Sequence, residues 1–294
     1  MFVIIGLVVV IGAIIGGYLM EHGNMMVLMQ PAELVIIGGA GLGTLLIANP
    51  PHILKAVMQG LIQTLKGSPF SKAFYLEQLR MLNDIFIYAR KNGMAKLESD
   101  LDEPEKSALF SKYPKFLNDH HALQFFCDTV RMSISGGVPP FELDQLMELD
   151  LEVQHTGSGE PTAALSTVAD ALPGIGIVAC VLGIVITMGA LGGPPEAVGH
   201  KVAAALVGTF LGILLCYGFL APLASNMGKN VEAHGQYMQF LRLGVLAFVK
   251  GTAPSLAVEF ARRGIPLHIR PSFKDTEAAI KGAGTAAPTE AVAA

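Results

Sequence analysis

The sequence predicts an all-α fold, a polytopic membrane protein with four transmembrane helices and a helical cytoplasmic domain. Of its 294 residues, 52% are hydrophobic and only 15% are charged, against roughly 25% charged in soluble domains. The charges are also segregated: 19 of the 20 Lys and Arg fall in 50–170 and 225–294, and Lys201 is the exception. Four blocks, 1–20, 34–49, 171–195 and 202–228, hold no Asp, Glu, Lys or Arg. Charge-free apolar blocks alternating with charge-rich ones mark a chain threaded repeatedly through a bilayer. An ordinary soluble enzyme is excluded.

The first span, Phe2 to Met20, is long enough at about 1.5 Å per residue to cross about 30 Å of hydrocarbon. It reads as retained, because no basic segment precedes it and no small-residue cleavage pattern follows at Tyr18-Leu-Met-Glu21. The second, Leu34 to Asn49, is short, but Pro31 can open its helix and Pro50-Pro51 closes it. The third runs from about Leu172 to Leu191 and stops at Gly192-Gly-Pro-Pro195, a breaker cluster. The fourth runs from about Val202 to Ala224. Four spans put the amino terminus, the 50–170 block and the tail on one side, and their basic residues make that side the cytoplasm. The outer loops, about 21–33 and 192–201, are too small to receive an extracellular ligand.

The expected organisation is therefore 1–49 (spans one and two with a short periplasmic loop), 50–170 (cytoplasmic helical domain), 171–224 (spans three and four), 225–275 (cytoplasmic C-terminal helices) and 276–294. The last stretch is Ala, Gly, Thr, Glu and Pro without periodicity and is expected to be disordered. In the 50–170 block the apolar spacing through Ile53, Val57, Leu61 and Leu65, and again through Leu76, Leu79, Leu82, Ile85 and Phe86, predicts helices. Gly93 interrupts them with Arg90 and Lys91 before the turn and Glu98 and Asp100 after it. Such a tip reads either as an ordinary solvated face or as a docking surface for a protein of complementary charge. Glu142, Asp144, Glu148, Asp150 and Glu152 form an acidic helix expected to pair with the basic tail.

Small residues recur at four-residue spacing in the spans: Gly12 and Gly16, Gly39 and Gly43, Gly208 and Gly212, with Ala204 extending the last, and Ala179 with Gly183. This spacing lets helix backbones approach closely, within one bundle or between subunits, and both readings stand at this level. Ion carriers place an ionisable group at mid-membrane depth. Here Glu33 and Asp170 stand at span edges, and the interior polar groups are Thr44, Cys180, Thr187, Thr209, Cys216 and Tyr217. If ions pass, the titrating carboxylate comes from a partner. Pro173 and Pro222 sit at the cytoplasmic ends of spans three and four, where each removes a backbone donor and frees a carbonyl; they read as boundary residues or as a hinge at the ion mouth.

Gly38 to Gly43 lies inside an apolar helix and lacks both the dinucleotide pattern and the Walker lysine. His120, His121 and Cys127 lack zinc spacing, and no metal or cofactor is expected. Cys127, Cys180 and Cys216 fit no disulfide framework. No nucleophile or paired-carboxylate motif points to an enzyme, and an acidic net charge of −4 gives no nucleic-acid footprint.

Ala171-Leu-Pro-Gly-Ile-Gly-Ile-Val-Ala-Cys-Val-Leu-Gly-Ile184 and Val207-Gly-Thr-Phe-Leu-Gly-Ile-Leu-Leu-Cys-Tyr-Gly-Phe-Leu-Ala-Pro-Leu223 resemble the most characteristic segments of the MotA family of flagellar motor stator subunits, related to ExbB and TolQ. Ala257-Val-Glu-Phe260 and Arg270-Pro-Ser-Phe273 resemble it too, and the likeness runs from residue 1 to about 275. The resemblance implies a proton channel in the bacterial inner membrane: a homo-oligomeric ring, a pentamer, around MotB, a single-span peptidoglycan-binding subunit that supplies the missing aspartate. It implies torque on the rotor protein FliG, with Arg90 and Glu98 matching the torque-bearing charges. Pro173 and Pro222 match the two functional prolines, and Thr209 the threonine facing the partner's aspartate. With Asp170, Cys180 and Tyr217 these form the expected ion pathway. Sodium-driven relatives carry a threonine where this chain has Cys180, and a thiol is a poor ligand for sodium, so protons are expected. An ExbB or TolQ-type channel with three spans, a non-conducting scaffold and a solute transporter are the other readings.

Overall fold

The computed structural model describes residues 2–189 and 191–281, and among them every regular element is helical. The chain opens with α1 (Phe2–Met20), a single turn α2 (Met25–Leu28), α3 (Pro31–Ala48) and α4 (Pro51–Lys66). It continues with α5 (Lys72–Asn92), α6 (Met94–Asp102), α7 (Pro114–Leu117), α8 (His120–Ser135) and the 49-residue α9 (Pro140–Met188). Next, α10 (Pro195–Ile213) runs through a π-helical stretch, Leu214–Leu220, into α11 (Ala221–Val249). Two short helices close the described chain, α12 (Pro254–Arg263) and α13 (Phe273–Lys281). Four helices are long and apolar enough to cross a membrane: Phe2–Met20, Met25–Ala48, and the apolar parts of Pro140–Met188 and Pro195–Val249.

The helix boundaries follow from local chemistry. Pro31, Pro51 and Pro195 each occupy a first-turn position, where the missing N–H costs no hydrogen bond. Because Pro195 can start a helix, α10 begins seven residues before the expected Val202, and most of the expected outer loop is helical. Gly67 and Gly93 end α4 and α5 at φ +87° and +86°, a conformation that costs glycine little. The Ser71 hydroxyl accepts from the Phe74 N–H and caps α5, and the Asp119 carboxylate accepts from the Ala122 N–H and caps α8.

The chain forms two compact units. One is the chain to Ser68 together with His155–Glu232; the other is Pro69–Gln154 together with the chain from Ala233. These divisions differ from the expected breaks at 170/171 and 224/225, which fall inside α9 and α11. A helix leaving a bilayer needs no break, and α9 continues through both Pro161 and Pro173. A second difference lies in the tail: 276–281, expected to be disordered, belong to α13. Ser272 and Asp275 build a reciprocal cap, the Asp275 N–H donating to the Ser272 hydroxyl and the Ser272 N–H to the Asp275 carboxylate. The rest of that expected tail, 282–294, lies outside the described residues.

In the first unit Ile37, Ala169, Leu172, Ala179 and Cys216 form one buried cluster, and Ile53, Val57, Ala164, Leu165, Ala224 and Met227 another. By contrast α1 buries no residue at all. A helix apolar on every side and buried on none matches lipid or another chain as its surroundings. The second unit has a large aromatic core containing Tyr75, Phe86, Phe110, Phe116, Phe126, Tyr237 and Phe240.

Candidate functional site

The membrane part is organised by small residues where α9 crosses α10 and its π-helical continuation. A Cβ on Gly176 would fall 2.8 Å from the Gly208 carbonyl oxygen, and one on Gly212 only 2.6 Å from the Leu172 carbonyl oxygen and 2.8 Å from the Gly176 Cα. Gly183 faces Ala205 in the same way. Gly208 and Gly212 therefore pack backbone to backbone within the chain, and the small residue extending them toward the outer end is Ala205 rather than Ala204. The other pairs behave differently: at Gly12, Gly16, Gly39 and Gly43 a Cβ would meet nothing within 4 Å. Their close-packing surfaces have no occupant among the described residues.

The expected ion-path residues divide between seam and surface. Cys180 is buried, with its backbone nitrogen 3.1 Å from where a Gly208 Cβ would lie. Thr209 and Pro173 are half-buried, whereas Asp170, Tyr217 and Pro222 are exposed in the single chain. Pro222 follows the π-helical stretch, whose last turn closes with the Ala221 N–H donating to the Cys216 carbonyl, five residues back. Such widened turns concentrate at functional sites. At Pro173 the helix runs on without such a segment.

One group inside the bundle escaped the span-edge reading. Glu33, in the first turn of α3, is 7% exposed, and its carboxylate lies against the glycine seam beside Gly183 and Gly208. The burial of Glu33 has a simple cause: Pro31 starts the helix just ahead of it, and two glycines, one on α9 and one on α10, leave the space that its side chain fills. Neither glycine is near Glu33 in sequence, so no local signal could show it.

In the other unit the charged tip surrounds Gly93. The Arg90 guanidinium, in the last turn of α5, donates to the carbonyls of Gly251 (3.2 Å) and Thr252 (3.4 Å) and is exposed. Glu98 on α6 accepts from the Ser135 hydroxyl at 2.8 Å. Each is thus oriented by a neutral neighbour, which leaves its charge unneutralised. Asp100 is occupied within the fold, accepting from Ser107 and raising the Tyr88 phenol through a hydrogen bond. The acidic helix does pair with the tail: Arg242 on α11 binds Asp144 at 2.6 Å and Glu148 at 3.2 Å. His120 and His121 join no metal cluster among the described residues. His234 lies 3.2 Å from Asp119 instead. Burial pushes the Asp119 carboxyl up, but His234 and the Ala122 N–H outweigh it and hold it below its usual range. Burial raises the Cys127 thiol to about 12, so it stays protonated and inert.

Comparison with known proteins agrees with this architecture. Residues 4–93 match the family model described as Motility protein A N-terminal, and 118–239 match that of the MotA/TolQ/ExbB proton channel family. The chain is 39% identical over 277 residues to Motility protein A of Escherichia coli (strain K12), covering 94% of both chains. It is 37% identical to the chemotaxis protein LafT of Vibrio parahaemolyticus, covering 93% of this chain and 96% of that one. Among solved structures, C. jejuni MotAB superposes with a TM-score of 0.75 at 20% identity, covering 92% of this chain and 98% of that chain. The MotAB stator complex from Bacillus subtilis gives 0.70 at 20% identity, covering 90% and 94%. The four membrane-length helices, the glycine seam and likeness over nearly the whole length lead to one conclusion: the chain belongs to the motility protein A family.

Proposed function

We propose that this chain is the channel-forming subunit of a flagellar motor stator, a membrane protein and not an enzyme, which works with a MotB-like partner to turn proton flow into torque. The observation that carries this reading is the 39% identity to Motility protein A across 94% of both chains. The unoccupied small-residue faces at Gly12, Gly16, Gly39 and Gly43 favour assembly, and we assign them to a ring of five chains around the partner. The partner is a single-span, peptidoglycan-binding subunit whose membrane aspartate meets Thr209. Asp170, Pro173, Cys180, Tyr217 and Pro222 line or gate the path on the cytoplasmic half. Both termini lie in the cytoplasm, in a bacterial inner membrane.

Energy scale favours surface charges as the rotor contact. One charge crossing about 100 mV releases about 2.3 kcal/mol, and an exposed ion pair is worth about 0–1 kcal/mol. Contacts of that size at Arg90 and Glu98 can be made and broken with FliG at every step. Co-purification from membranes tests the assembly: the chain brings down a single-span protein with one membrane aspartate. A chain that purifies alone at full yield, or with a multi-span transporter, contradicts the stator reading. An ExbB or TolQ-type partner would move the chain to the related force-generating channels.

A further inference from the structure

Glu33 is a carboxylate that the expected ion path does not use. It is 7% exposed, and its Oε2 has no hydrogen-bond partner. Oε2 lies 2.6 Å from where a Cβ on Gly208 would sit, and Oε1 lies 3.7 Å from the equivalent point on Gly183. Ala179 and Ala205 flank the same two glycines. These four residues have no side-chain donor to offer a carboxylate. The hydroxyl of Thr187, one turn beyond Gly183, donates to the Gly183 carbonyl instead. Gly183 stands five residues inside the end of α9, so the carboxylate sits about 8 Å within that helix.

Outward from the slot lies an open recess of about 250 Å³, lined by the polar Asn24, Gln30, His200 and Lys201 and by the apolar Met26, Val27 and Ala204. Gln30 immediately precedes α3, and Lys201 lies two turns before Gly208 on the same face of α10, about 10 Å away. The titratable groups on the elements around Glu33 are Glu196, His200 and Lys201 on α10 and, in the part of α9 beyond Asp170, Cys180; α2 carries none. An ionised carboxylate with an orphan oxygen in an apolar slot is costly, and a neutral acid much less so. A recess open to solvent on the outer side and a buried slot inward of it would let those two protonation states interchange on access to water. Intramembrane carboxylates of this kind mark proton relays.

We propose that Glu33 is a proton-binding site of the chain itself, loaded from the outer recess and discharged past Gly208 toward Thr209. The proposal rests on the channel reading above. In the step, the carboxylate takes a proton from hydronium in the recess to give a neutral acid and a water. It later returns that proton to water on the path side; no other bond changes.

The test uses the complex of this chain with its single-span partner in membrane vesicles, with proton conductance measured against external pH. Glu33→Gln is expected to assemble, to conduct at least about tenfold less, and to lose the dependence on external pH. Glu33→Asp is expected to restore that dependence with a shifted midpoint. Infrared difference spectra between acidic and neutral external pH are expected to show a carboxylic acid band that shifts in Glu33→Asp and disappears in Glu33→Gln. A Glu33→Gln complex with wild-type conductance and pH profile overturns the proposal and leaves the channel reading standing. If Glu33→Gln fails to assemble, Glu33→Asp decides: an unshifted band and midpoint overturn the proposal, and shifts in both support it. A wild-type complex that carries no protons overturns the channel reading, and the proposal with it.

Discussion

Substituting Gly212 by Ala drives a methyl group into backbone that cannot rotate aside. Its Cβ would lie 2.6 Å from the Leu172 carbonyl oxygen and 2.8 Å from the Gly176 Cα. An ordinary contact is about 3.5 Å or more, so α9 and the fourth span must part by most of an ångström. A gap of that size forfeits about a quarter to a half of each dispersion contact along the seam. Overpacking of this kind costs about 1–3 kcal/mol, or roughly 5- to 150-fold in an equilibrium constant. Alanine also favours a helix over glycine by about 1 kcal/mol, which would mask part of the loss. Gly38→Ala is the matched control, mid-helix in α3 with nothing within 4 Å of its Cβ. The propensity gain cancels between the two variants. Denaturant titration of helical circular dichroism in mixed micelles should place Gly212→Ala about 1–3 kcal/mol below Gly38→Ala. Equal stabilities, or the reverse order, would refute a seam closed on glycine backbone.

Charge reversal at Arg90 or Glu98 should weaken swimming while the chain still inserts and retains its partner, since each side chain makes only exposed or single neutral contacts; loss of the complex on co-purification would count against a rotor-contact role. Arg242→Ala removes the partner of Asp144 at a site where the arginine is only 12% exposed, while Glu148, 69% exposed, stays solvated, at a cost of about 0.5–1.5 kcal/mol, and faster hydrogen exchange in the first turns of α9 would report it. Asp119 is held below its usual range in the fold, so its contribution is present above the ordinary carboxyl pKa of 3.8 and lost as pH falls through the lower folded value. Asp119→Asn should therefore lower stability above that point and change it little below, which flattens the acid limb, and an unchanged acid limb in a pH titration of unfolding would contradict this. Motor speed should follow proton-motive force and ignore external sodium, because the Cys180 thiol is a poor sodium ligand; speed tracking sodium at fixed proton-motive force would reverse the ion assignment.

Much of this was legible because membrane proteins write their architecture in composition. Segregated charge located all four spans, and Gly93 located the tip that holds Arg90 and Glu98. The acidic residues at the start of α9 pointed to the basic tail, because opposite net charges on two segments are visible without a fold, but not to Arg242 within it. What stayed hidden depended on distant residues meeting. The Glu33 slot requires Gly183 and Gly208 together, and spacing within either helix shows only that small residues are present. The same limit left Ala205 and Gly176 unnamed and the partners of the glycine pairs open. The π-helical stretch had one local signal in Pro222, which marks a missing donor but not how the backbone answers it. The α13 cap at Ser272 and Asp275 was a readable signal, overshadowed by the Ala- and Gly-rich composition that follows.

The central claim is that this chain and a single-span partner form one proton path in which the partner supplies a membrane aspartate. Proton uptake should be measured in cells expressing both chains with any periplasmic block removed, beside cells in which the partner's aspartate is replaced by asparagine. The account predicts uptake with the native pair and background uptake with the substituted one, at equal membrane levels of both chains. Equal uptake in the two, or uptake by this chain without the partner, would contradict it.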